Sequence, residues 1–200
     1  MARDRASRPE AKPVRLFIAV DLPERVKERL DALIEPYRPG VPEARWTRPE
    51  GWHVTVKFLG ATWPRLVGEV PAVVDEAARS VAAWRSGLTR VGAFPSPRRA
   101  RVVWVGLADE DGRLAAVAGA LDEGLRADFV PEKRALTPHL TLARLRTPAN
   151  LAETAPELLA ADVTSEPFDL RELVVYRSHL SPKGATYEAV HRAPFLGGTG

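Results

Sequence analysis

The sequence predicts an α+β protein of two pseudo-symmetric halves, each an antiparallel sheet covered on one face by helices, with a cleft between the halves. Three observations carry that expectation. Strand-like and helix-like runs alternate along the chain, and its C-terminal part closes on two strand-like runs joined by a turn, which favours antiparallel pairing. The order of elements repeats when the chain is laid on itself with an offset of 86 residues. That offset also brings two copies of one unusual pattern into register, "HVTV" at His53 and "HLTL" at His139.

Element by element, "RLFIAVDL" from Arg15 is a β-rich run, and Val26, Leu30, Leu33 and Ile34 behind Pro23 have helical spacing. The turn-rich "RWTRPEGW" leads into a strand from His53 to Gly60. Pro64 to Trp84 reads as a helix whose regular part begins near Pro71. "GLTRVGAFPSPRRARVVWVGLAD" gives a strand, a basic proline-rich loop and a second strand. A helix over residues 111–128 follows, with Leu114, Val117, Ala118, Leu121 and Leu125 on one side. After "TPHLTLARLR" come a short helical stretch near Leu151 to Ala160 and the runs "FDLRELVVYRSHL" and "TYEAVHRAPF", joined as a hairpin by Ser181 to Ala185.

The 200 residues, 45% hydrophobic and 28% charged, suffice for one sizeable core or two small lobes. No apolar run is long enough to span a bilayer, and "MARDRASRPEAKPVR" lacks the hydrophobic middle of a signal peptide, so a cytoplasmic protein without membrane contact is expected. The chain contains no cysteine, which excludes disulfides, thiolate nucleophiles and Cys-ligated zinc. A net charge of +3 and a pI near 9.5 favour a polyanionic partner, although an arginine-rich composition accounts for the same excess. Residues 1–14 read as a flexible basic arm ahead of a single domain over 15–196. A monomer is expected.

Side chains alternate along a strand, so His53 and Thr55 share one face, with Val54, Val56 and Phe58 on the other. His139 and Thr141 share a face opposite Leu140 and Leu142 in the same way. With 11 threonines among 200 residues, a given histidine meets Thr at the second following position about once in 18 times (200/11); two such pairs among four histidines are far rarer. Two facing imidazoles suit the opening of a cyclic phosphodiester, in which a base takes a proton from water and an acid protonates the departing oxygen. Histidine populates both states near neutrality, and two threonine hydroxyls can donate to the nonbridging oxygens.

Zinc would accept two histidines, but no acidic pair, no Cys and no H-E-x-x-H accompany them, so no metal and no cofactor are expected. His179 and His191 read as ordinary residues of the C-terminal hairpin. Softer candidates for substrate contact are Arg98, Arg99 and Arg101 of the basic loop. Phe17, Trp52, Trp104 and Tyr176 could stack a base.

These motifs resemble the two-histidine (2H) phosphoesterase superfamily, and within it the RNA 2',3'-cyclic phosphodiesterases also described as 2'-5' RNA ligases. "RLFIAVDLP", "RPEGWHVTVKFLG", "GAFPSPRRARVVWVGL", "PHLTLARLR" and "YRSHLSPKGATYEAV" carry the resemblance over nearly the whole chain. It implies a bilobal α+β fold with the two motifs lining a central cleft. It further implies His53 as the acid for a leaving 3'-oxygen, His139 as the base that activates water, a 2'-phosphomonoester product, and Arg144 as a phosphate contact, although strict alternation places Arg144 opposite His139 unless the strand bends. The expected partner is RNA with a 2',3'-cyclic phosphate end, tRNA fragments among the candidates. Two alternatives stay open: the site acts on small cyclic phosphates or 2'-5' oligonucleotides, or the chain is an idle module that binds RNA ends.

Overall fold

The computed structural model describes residues 12–181 and 184–197. In chain order it contains β1 (Val14–Asp21), α1 (Glu24–Ile34), β2 (Ala44–Trp46), β3 (His53–Thr62), α2 (Pro64–Val67), α3 (Val70–Arg79), β4 (Trp84–Ser86) and β5 (Leu88–Phe94). The second half holds β6 (Ala100–Leu107), α4 (Arg113–Gly124), β7 (His139–Ala149), α5 (Leu151–Thr154), α6 (Pro156–Leu159), β8 (Phe168–Leu170), β9 (Glu172–Ser181) and β10 (Gly184–Pro194). The expected arm falls mostly outside the described residues, as do residues 182 and 183 of the hairpin turn. The strands flanking that turn pair antiparallel, with Ser181 opposite Gly184.

Seven strands follow the order β10-β9-β1-β3-β7-β6-β5, with β2 added beside β7, and β4 pairs separately with β8. All these pairings are antiparallel. The two expected half-sheets are therefore present, and they meet where β3 passes β7. Among the described residues the only register pair at that seam is Val54 with Leu140. The repeat holds element by element: adding 86 to β1, β3 and β5 lands on β6, β7 and β9.

The buried stripes of the helices, Val26, Leu30 and Ile34 on α1, Val70, Val74 and Ala77 on α3, and Leu114, Val117 and Leu121 on α4, join one core cluster with Ile18, Val54, Val105, Leu140 and Val175. Each such side chain removed from water contributes about 1.5–3 kcal/mol, so helix cover and sheet hold each other in place. Among the described residues no helix is long and apolar enough to cross a membrane.

Helix boundaries move inward from the expected ones where local chemistry breaks the turn. The segment from Pro64 divides at Gly68 into α2 and α3, with Pro71 in the first turn of α3. The stretch from Leu151 divides at Ala155, ahead of Pro156, into α5 and α6. Trp84, expected at the end of a helix, is instead the first residue of β4.

Candidate active site

His53 and His139 each open a strand, and each fixes its ring through the backbone two residues earlier. His53 Nδ1 lies 2.8 Å from the Gly51 carbonyl oxygen, and His139 Nδ1 lies 2.6 Å from that of Thr137. A carbonyl only accepts, so Nδ1 carries the proton in both rings and Nε2 is the nitrogen left for chemistry. Both histidines, Thr55 and Thr141 line one cleft of about 430 Å³, with Thr47, Phe17, Phe58, Phe94, Arg144 and Tyr187 among its other walls. Among the described residues neither threonine hydroxyl has a hydrogen-bond partner within the protein.

The register explains a departure from simple alternation. Ile18 lies opposite Lys57 while Ala19 lies opposite Thr55, which leaves Val56 as an extra residue in β3. Leu142 is extra in β7 in the same way, between the pairs Val103 with Ala143 and Trp104 with Thr141. An extra residue reverses the alternation beyond it. Phe58, expected on the far face with Val54, therefore turns to the cleft, and Lys57 turns inward to pair with Asp122 of α4. Arg144 reaches the cleft for the same reason, on the same side as His139. Thr47 ties the first half to the second bulge: its hydroxyl lies 2.8 Å from the carbonyl oxygens of Thr141 and Leu142 and accepts the Trp52 Nε1–H.

The two rings have different surroundings. His53 stacks on Phe17 with centroids 4.6 Å apart, meets Tyr187 edge-on at 5.0 Å and lies 5.9 Å from Tyr176. Burial in this aromatic box pushes His53 from its ordinary 6.5 down to about 4; the Gly51 carbonyl and Asp21 pull it up, while Lys27 and Arg144 add to the lowering. His139 meets Phe94 edge-on at 4.9 Å, with Trp104 at 6.2 Å.

Several expected contact residues take other places. Phe17 lines the cleft beneath His53 with only 3% of its surface exposed, and Trp104, 6% exposed, lies behind His139 and outside the lining. Tyr176 donates its hydroxyl to Asp21 at 2.6 Å, and burial with that carboxylate pushes its pKa above the ordinary phenol value. Trp52 is buried. Arg98 and Arg99 sit exposed in a 3-10 turn and do not line the cleft, and Arg101 donates to the Arg146 carbonyl. His179 and His191 pair with Glu188 and Asp75. Sequence reasoning did not single out Thr47, Phe94 or Tyr187. Tyr187 faces the cleft from β10, a strand read there only as half of a hairpin.

The family described as LigT like phosphoesterase matches the chain twice, over residues 20–104 and 105–187, one match for each half. An RNA 2',3'-cyclic phosphodiesterase of Methanothermobacter thermautotrophicus is 32% identical over 178 residues, covering 87% of this chain and 95% of that protein. A protein of the same name from Thermus thermophilus is 31% identical, covering 92% and 91%. Among solved structures, TT0787 of Thermus thermophilus superposes with a TM-score of 0.73 at 25% identity, over 90% of this chain and 97% of that one. E. coli LigT complexed with 3'-AMP shares the fold, with a TM-score of 0.71 at 23% identity over 92% and 98%. With both halves matched and both His-x-Thr strands brought to one cleft, the chain belongs to the LigT-like phosphoesterase family.

Proposed function

We propose that the protein hydrolyses the 2',3'-cyclic phosphate end of RNA to a 2'-phosphomonoester by two-histidine acid-base catalysis. The observation that carries this reading is the single cleft onto which both imidazoles and both unengaged threonine hydroxyls open. The names of the relatives support the substrate. His139 Nε2 takes a proton from water as its oxygen attacks phosphorus. The bond from phosphorus to the 3'-oxygen breaks, and that oxygen receives the proton held on His53 Nε2. Thr55, Thr141 and Arg144 donate to the nonbridging oxygens as their charge rises. With a 5'-hydroxyl in place of water, the same geometry forms a 2'-5' linkage.

Burial holds His53 near 4, so its acid role requires a proton gained with the substrate. A cyclic phosphodiester carries one negative charge, and an anion beside Nε2 favours the imidazolium. All four groups come from one chain, which supports a monomer as the working unit, with residues 15–196 as the catalytic domain. The absence of cysteine fits a cytoplasmic setting. The test is product analysis on an RNA ending in a 2',3'-cyclic phosphate: a 2'-phosphate end is expected. A 3'-phosphate end, or no turnover, overturns the proposal.

A further inference from the structure

A second groove opens beside the first. It is lined by Glu43 and Arg45 of the β2 edge and by Arg144, Leu145, Arg146, Thr147 and Pro148 of β7, and Arg144 is common to both clefts. Arg45 stands directly opposite Arg144 in the β2–β7 register. Like charges directly opposite on a sheet destabilise it. Among the described residues, none of Arg45, Arg144 and Arg146 has a carboxylate within ion-pair distance. Glu43 lines the groove without pairing to any of them. The guanidinium of Arg45 also approaches the β9–β10 hairpin: a methyl group at Gly184 would stand 2.9 Å from Arg45 Nη2. Arg45 thus sits where the central cleft gives way to the groove.

We propose that this groove is a phosphate-tracking subsite for the strand that leads away from the reacting end, so that the preferred substrate is an RNA oligonucleotide and not a mononucleotide. The inference rests on the function proposed above. A 2',3'-cyclic phosphate ends the chain at its 3' side, so every further phosphodiester lies in the 5' direction. Arg144 touches the reacting end, and Arg45 and Arg146 take the phosphates that follow. Arginine suits this task because its planar fork meets phosphate oxygens two at a time.

The experiment compares kcat/KM on a mononucleoside 2',3'-cyclic phosphate and on a short RNA with the same end, for the native chain and for Arg45→Gln/Arg146→Gln. The native chain should prefer the RNA by roughly tenfold or more at low salt. The double variant should lose most of that preference and keep its mononucleotide rate. Its plot of log kcat/KM on RNA against log salt should be shallower by about 1.4, at roughly 0.7 per phosphate contact on a single strand. Glu43→Gln should strengthen the preference. Equal native rates on both substrates, or an undiminished preference in the double variant, overturn the subsite while leaving the hydrolytic function standing. Absence of turnover on either substrate removes the function itself.

Discussion

Val54 and Leu140 stand directly opposite each other across β3 and β7, and each is the residue that the 86-residue repeat exchanges for the other. The approximate two-fold axis therefore passes through this pair. Antiparallel pairing at this point runs β3 from His53 to Thr55 against β7 from Thr141 to His139. All four side chains line the same cleft on either side of this pair.

Removal of single groups should follow this arrangement. His53→Ala and His139→Ala should each lower kcat on cyclic-phosphate RNA by about 10²–10⁴-fold. Thr55→Val and Thr141→Val keep the shape and remove one donor, for a loss of about 10²–10³-fold. Steady-state turnover beside a thermal melt checks both, and full activity in either histidine variant would refute the mechanism.

Substrate binding should take up a proton. In His139→Ala, titration of a 2',3'-cyclic nucleotide at pH 7 should draw a measurable fraction of a proton from the buffer, because the bound anion raises His53 from near 4. Calorimetry in two buffers of different ionisation enthalpy measures this uptake. No uptake would mean that His53 does not serve as the acid.

The depressed His53 also gives the fold a pH dependence. Above pH 6.5 the ring is neutral whether the chain is folded or not; below it the unfolded chain binds a proton that the native site refuses down to about 4. Stability is thus fully present above 6.5 and is lost as pH falls towards 4. Urea unfolding should show this site costing about 2 kcal/mol between pH 7 and pH 5, a share that His53→Gln abolishes.

Behind the site, Lys57 is 5% exposed at its side chain and pairs with Asp122. Asp122→Asn strands a buried ammonium and should cost about 3–5 kcal/mol, whereas Lys57→Met leaves only the partly exposed Asp122 unpaired and should cost much less. Denaturant midpoints of the two variants decide the order.

A methyl group at Gly92 would overlap the indole of Trp104, which is buried beneath Phe94 and His139. Gly92→Ala should cost about 1–3 kcal/mol and lower kcat through displacement of the His139 ring. Crystallography of the variant would show whether Trp104 moves, and unchanged kcat would sever the link to His139.

The two half-sheets, their repeat and the facing His-x-Thr pairs were legible because alternation along a strand is local. The placements of Phe58 and Arg144 were not, since each depends on an extra residue defined only against the neighbouring strand. Phe17 and Trp104 do lie beside the histidines, but whether a ring on that face is open or covered depends on Tyr187 and Phe94, which arrive from distant parts of the chain. The three-residue strands β2, β4 and β8 are too short to show a period in sequence.

The reversed alternation leaves matching positions of the two walls unequal, an aromatic hydrocarbon at 58 and a permanent cation at 144. Two like His-x-Thr pairs are thereby set within an electrically lopsided frame. A molecule lying across it meets charge at one end and hydrocarbon at the other, so turning it end for end exchanges a favourable contact for an unfavourable one. The symmetry brings the two His-x-Thr pairs to one cleft, and this mismatch gives the chamber a head and a tail.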